Sequence, residues 1–231
     1  MEQGRCTAIV LAAGQGKRMH SKIQKQFLEI GGKPILYYSM ECFQKSPLIQ
    51  DIILVTGEDM ISYCQSEIVE KYGFTKVCKV TAGGKERYDS VYAGLCACQN
   101  TDYVFIHDGA RPFVTEEILQ RGFAAVQDTG ACAAGMPSKD TVKLADAAGY
   151  VAETPERSRV WNVQTPQIFR YALIRSAYDA IRKKDMSKIT DDAMVAEQEA
   201  GVKVRLFEGS YRNIKITTPE DLASAESFVK H

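Results

Sequence analysis

The chain has 231 residues, 29 basic and 29 acidic side chains, a formal net charge of zero and 45% hydrophobic residues. That balance gives no global electrostatic footprint for nucleic acid or a membrane surface, so anions must be met by local clusters. No apolar run approaches the roughly 20 residues of a membrane span. Met-Glu-Gln-Gly-Arg leads directly into a strand, with no visible signal peptide. The seven cysteines (Cys6, Cys42, Cys64, Cys78, Cys96, Cys98 and Cys132) are odd in number, irregularly spaced and free of any C-x-x-C pair. They read as small buried hydrophobes of a cytoplasmic protein rather than a disulfide framework or zinc site.

In chain order, Ala8 to Leu11 suit a buried parallel strand. It runs into Ala12, Ala13, Gly14 and Gly16, residues so small that a ligand can approach the backbone. Arg18 and Lys25 follow. Leu36, Met40 and Phe43 share one helical face after Pro34, a favourable first-turn residue. Strands are expected at 51–56, 76–81, 103–107 and 131–136. Helices are expected at 58–72, from about 87 with Val91, Leu95 and Cys98 inward, and after a Thr115 cap with Leu119, Phe123 and Val126 inward. This β-α-β-α order predicts a mostly parallel sheet covered on both faces, with ligands beyond the carboxyl ends of its strands. The glycine turn, the 81–87 loop and the 107–112 loop should then converge on one edge.

After Pro137 the rhythm changes. Segments 140–145 and 150–154 flank Asp146-Ala-Ala-Gly149 as a hairpin, which can make a dimer contact or fold back on its own body. A helix is expected at 170–184. Thr190 should cap a short helix that stops near Gly201, 204–207 and 215–216 are late strand candidates, and Thr218 should open a final helix. No repeat, linker or low-complexity stretch divides the chain, so residues 1–231 read as one domain with a β-arm at 138–155.

The glycine turn fits neither common nucleotide signature. Met19 stands where a dinucleotide fingerprint needs a third small residue, and the Walker pattern is absent. It is either a phosphate cradle or a structural turn. A second cluster, Gly83-Gly84-Lys85-Glu86-Arg87 with Ser90, joins open backbone to positive charge. In the third, His107-Asp108-Gly109-Ala110-Arg111-Pro112, Asp108 can hold a hydroxyl or a divalent metal and Arg111 can balance it or fork a phosphate. His107 reads as a packed side chain, and three histidines make a histidine-rich metal site improbable. Gln164-Thr165-Pro166-Gln167 with Arg157, and Asn213-Ile214-Lys215, complete the series.

Taken in order, Leu11-Ala-Ala-Gly-x-Gly-x-Arg-Met19, Lys25-Gln26, Gly83-Gly84-x-x-Arg87, Asp89-Ser90-Val91, His107-Asp-x-Ala-Arg-Pro112, Asp140-Thr141, Thr165-Pro-Gln167, Thr190-Asp191 and Asn213-Ile-Lys215 resemble the 2-C-methyl-D-erythritol 4-phosphate cytidylyltransferases of the non-mevalonate isoprenoid pathway. The resemblance runs from about Cys6 to Val229. It implies a three-layer Rossmann-like nucleotidyltransferase fold with a projecting arm, a homodimer, and Mg2+ or another divalent cation. CTP would lie on Ala12, Ala13, Gly14, Gly16, Gly84, Lys85, Ser90, Asp108 and Gly109. Arg18 and Lys25 would stabilise the pentavalent phosphate. Asp108, Arg111, Thr141, Arg157, Thr165, Thr190 and Lys215 would hold the methylerythritol phosphate, with Arg157 and Lys215 orienting the attacking group. Gly109 replaces a common alanine and Lys85 an acidic residue of some members. A ribitol-5-phosphate cytidylyltransferase is the nearest alternative, and a catalytically silent nucleotide-binding protein is an alternative of another class.

Overall fold

The computed structural model describes residues 4–14 and 24–229. Seven strands build one sheet: β1 (Cys6–Ala12), β2 (Asp51–Thr56), β3 (Val77–Ala82), β4 (Tyr103–Asp108), β5 (Ala131–Pro137), β6 (Trp161–Arg170) and β7 (Arg205–Glu208). Their spatial order is β7-β5-β6-β4-β1-β2-β3. The pairs β1/β2, β1/β4, β2/β3 and β5/β7 are parallel, and β6 runs antiparallel to both its neighbours.

Alternation along each strand explains the three layers. Ala8 and Val10 of β1, with Ile52 and Leu54 of β2, point to one face. There they meet Leu36, Met40 and Phe43 of α1 (Ile35–Lys45) and Leu119 and Val126 of α3 (Glu116–Thr129). Ile9, Ile53 and Val55 point the other way. They pack with Val91 and Leu95 of α2 (Arg87–Ala97), Ile174 and Tyr178 of α4 (Tyr171–Ile181), and Val195 of α5 (Asp192–Ala200). Completely buried side chains of this size are each worth roughly 1.5–3 kcal/mol of transfer free energy. Two clusters back to back on one sheet therefore make a single core.

Several expectations need correction. No strand was expected at β6, whose Asn162, Gln164, Thr165 and Pro166 are poor strand formers. The register with β5 shifts between Val163 and Gln167, and this irregularity accommodates a proline that cannot donate to the ladder. The expected 58–72 helix is a 3-10 turn (Glu58–Met60), a short α-turn (Ile61–Tyr63) and a π-helix (Cys64–Glu70). Asp191, rather than Thr190, caps α5 by accepting the Met194 N–H at 2.9 Å. Lys215 and Ile216 lie in irregular chain, not in a strand. The last helix, α6 (Pro219–Val229), does open as expected, with Asp221 Oδ2 accepting from the Thr217 and Thr218 amides.

The arm is shorter than its sequence pattern suggests. Leu144–Ala145 pairs with Val151–Glu153, and Asp146 Oδ1 closes the turn by accepting from the Ala148 and Tyr150 amides. From Lys139 to Thr154 every residue except Val142 is exposed, which is an arm held away from its own body. No described helix is long and apolar enough to cross a membrane.

Candidate active site

The three predicted loops converge. A cavity of about 170 Å³ opens at the carboxyl edge of β1, β3 and β4, lined by Ala13, Gly14, Lys25, Gly84, Lys85, Arg87, Ser90, Asp108 and Lys215, with Leu11, Gln26, Glu86 and Ala110 between them. Gly16 and Arg18 lie outside the described residues. Ala12 is buried beneath the cavity rather than on its wall.

Local structure explains the shape. Gln26 is buried and donates to the Ala12 carbonyl at 2.5 Å, which ties the turn Lys25–Phe27 to the end of β1 and brings Lys25 to the rim. Gly83 has no room for a side chain, since a Cβ there would stand 2.7 Å from the Ala13 Cβ. The Gly83 backbone therefore packs directly on the Ala13 methyl. Ser90 accepts the Gly84 N–H at 3.2 Å and donates to the Glu86 carbonyl at 3.3 Å, so its hydroxyl folds the loop over the first turn of α2. Gly109 does not line the cavity: its N–H goes to the Leu11 carbonyl, and an added Cβ would come within 2.8 Å of Leu36 Cδ1. It is a packing position.

Charge is organised around two carboxylates. Asp108 Oδ2 accepts from Lys215 Nζ at 2.7 Å and Oδ1 from Arg87 Nε at 3.2 Å. Burial would raise the Asp108 pKa, but Arg87 and Lys215 outweigh it and hold the carboxyl well below the usual range. The terminal nitrogens of Arg87 fork onto Asp192 at 2.9 and 2.8 Å, and the Tyr178 hydroxyl donates to the same carboxylate at 2.6 Å. Asp192 is completely buried. Burial works against the charged guanidinium of Arg87, yet Asp192 and Asp108 push its pKa well above the ordinary value. Removing one member of such a buried pair costs about 3–5 kcal/mol.

Behind Asp108, a hydrogen-bonded chain fixes the strand end. The Asp108 N–H donates to Thr165 Oγ1 at 3.1 Å, and Thr165 Oγ1 lies 3.1 Å from His107 Nδ1. His107 Nε2 lies 3.0 Å from the Arg111 carbonyl, which can only accept. Nε2 therefore carries the proton, and the Thr165 hydroxyl donates to Nδ1. Burial lowers the His107 pKa to about 4, so the ring is neutral and structural. Arg111 does not reach the cavity: it donates to the Asn213 carbonyl at 2.8 Å, and its buried Nε has no partner. Asn213 in turn donates to Gln164 and to the Thr165 carbonyl. Thr141, Arg157 and Thr190 are exposed and also lie outside the cavity wall.

The described residues do not build a metal cage. No group of three His, Cys, Asp or Glu side chains stands together among them. Both oxygens of Asp108, the candidate ligand, are already taken by cations. Arg87 was read only as positive charge within its cluster, Tyr178 fell within the expected 170–184 helix, and Asp192 was assigned no role.

Residues 6–231 match the family model IspD, 2-C-methyl-D-erythritol 4-phosphate cytidylyltransferase. The chain belongs to that family. A family relative from Clostridium kluyveri is 51% identical over 225 residues, covering 96% of each chain, and one from Lachnoclostridium phytofermentans is 48% identical over 224 residues, covering 97% of this chain and 96% of the other. Both are 2-C-methyl-D-erythritol 4-phosphate cytidylyltransferases by name. Among solved structures, 4-diphosphocytidyl-2C-methyl-D-erythritol synthase from Anaerococcus prevotii superposes with a TM-score of 0.86 at 34% identity, over 99% of this chain and 97% of the other. The Francisella tularensis IspD cytidylyltransferase gives 0.80 at 30% identity, over 96% and 99%. The Rossmann-like nucleotidyltransferase fold expected from the motifs is thus the fold of the IspD structures.

Proposed function

We propose that this chain transfers a cytidylyl group from CTP to 2-C-methyl-D-erythritol 4-phosphate, giving 4-CDP-2-C-methyl-D-erythritol and pyrophosphate. The observation that carries the reading is one cavity with bare main chain at Ala13, Gly14 and Gly84 on one side and Lys25, Lys85, Arg87 and Lys215 around it. Main-chain amides and cations suit a triphosphate. A phosphate oxygen of the polyol substrate attacks the α-phosphorus, the bond to the β-phosphate oxygen breaks, and pyrophosphate leaves. The nucleophile is already an anion, so no general base is needed. That agrees with a His107 that is neutral, buried and committed to Thr165 and Arg111.

Bringing two polyanions together is the difficulty, and fixed cations answer it. Lys25, with Arg18 from the preceding segment, would meet charge developing at the α-phosphate. Lys215 would orient the attacking phosphate beside the Asp108 carboxylate. Any Mg2+ would have to come with the triphosphate, because the described residues offer it no cage. The exposed apolar side chains of the arm, Leu144 (49%), Tyr150 (74%) and Val151 (61%), favour a homodimer contact. Thr141 lies within that arm and Arg157 just beyond it, and we assign both to the partner's polyol subsite.

The test is pyrophosphate release from CTP with each polyol phosphate in turn. Turnover with methylerythritol phosphate is expected. Preference for ribitol 5-phosphate would overturn the acceptor, and no release with either would overturn the transferase.

A further inference from the structure

We infer that Asp192 is a positioning residue of this site: through Arg87 it sets where the Asp108 carboxylate and the Lys215 ammonium stand. The inference rests on the cavity being the place of cytidylyl transfer. Asp192 does not touch the cavity, and it has no helix-capping duty, since Asp191 holds the Met194 amide and Gln167 holds the Ala193 amide. Among the described residues its carboxylate accepts only from Arg87 and Tyr178. The surrounding α4–α5 contact is already apolar through Ile174, Ala177, Val195 and Ala196. A buried ion pair is weak evidence for stability in itself, so the geometry points to what this one does for Asp108.

The two oxygens of Asp108 are divided between two cations, Oδ1 to Arg87 and Oδ2 to Lys215. That division holds because Asp192, bonded to one N–H of each terminal nitrogen, fixes the guanidinium in a pose that meets Asp108 through Nε. A guanidinium released from Asp192 would take Asp108 as a two-pronged fork, the favoured Arg–carboxylate geometry. Lys215 would then share its oxygen with Arg87, and the ammonium would shift from its present place. Tyr178 supports the arrangement by donating to Asp192 Oδ1, the oxygen that also accepts from Arg87 Nη1. Its burial, followed by the nearby Asp192 charge, raises the phenol pKa well above the usual value, so it remains a donor.

The test is steady-state kinetics with CTP and methylerythritol phosphate on D192N, R87Q, the D192N/R87Q double variant and Y178F, with melting temperatures measured alongside. Wild-type turnover in the same assay checks the proposed reaction separately. D192N and R87Q should each lower kcat/KM by roughly 10- to 100-fold, the worth of one charge-assisted hydrogen bond. The double variant should fall no further than the worse single, because Asp192 acts only through Arg87. The polyol phosphate KM should rise more than the CTP KM. If D192N does not fold, Y178F decides: an unchanged melting temperature with a several-fold rise in the polyol phosphate KM supports the inference. Losses that multiply, or Y178F and D192N with wild-type kinetics, would overturn it while leaving the transferase reading intact.

Discussion

His107 makes a quantitative prediction about acid stability. The imidazole is completely buried, and its pKa falls from the ordinary 6.5 to about 4 because burial disfavours the charged ring. Between those values the unfolded chain binds a proton that the native chain refuses. Unfolding is therefore favoured as pH falls through this window, and stability rises with pH. Integrating the single-site linkage gives a loss of about 2 kcal/mol between pH ~7 and ~5 and about 3 kcal/mol by pH ~4. Asp108 acts in a different window: its depressed pKa contributes stability that is lost only below the ordinary carboxylate range. The assay is urea unfolding at a series of pH values for wild type and H107Q. Glutamine can still donate to the Arg111 carbonyl but cannot titrate. The variant should be less stable at neutral pH yet lose the slope between about pH 6.5 and 4. An equal slope in both proteins, or a flat wild-type profile, would refute the neutral buried ring.

Three further outcomes follow from the site. K25A should lower turnover about 100-fold or more while CTP affinity falls less than about tenfold, read by single-turnover pyrophosphate release against equilibrium binding. R157A should raise the polyol phosphate KM about tenfold and leave the CTP KM nearly unchanged, and equal effects on both would reject its placement. On the proposed homodimer, Y150S with V151E should shift the protein to monomer in light scattering, with turnover falling in step, since the proposed partner subsite of Thr141 and Arg157 would be lost.

The convergence of loops was legible because it rests on local chemistry. Apolar strands that end in Ala-Ala-Gly or Gly-Gly must stop at the same sheet edge, and cations placed just after them must crowd there. Lys25 and Lys85 could be assigned to that edge from the residues alone, whereas Lys215 came to it only through the family resemblance. β6 was not legible for the opposite reason. Its proline and amides make a poor strand by propensity, and only a place between β4 and β5 makes it one. A central strand must pair on both sides, and the register shift at Val163–Gln167 lets it do so around Pro166.

The same contrast separates the two carboxylates of the site. Asp108 announces itself at the end of an apolar strand, next to a histidine and an arginine. Asp192 looks like any first-turn acid, because what distinguishes it is a guanidinium 105 positions earlier in the chain. Sequence periodicity reports which face a residue takes, not which buried charge it meets there. Tyr178 shows the cost of that blindness: its ring belongs to the apolar stripe of α4, and its hydroxyl belongs to the charge network. A helix can thus carry core packing and site geometry on one side chain. Substitutions at Tyr178 should accordingly divide by atom, with loss of the hydroxyl moving kinetics and loss of the ring moving stability.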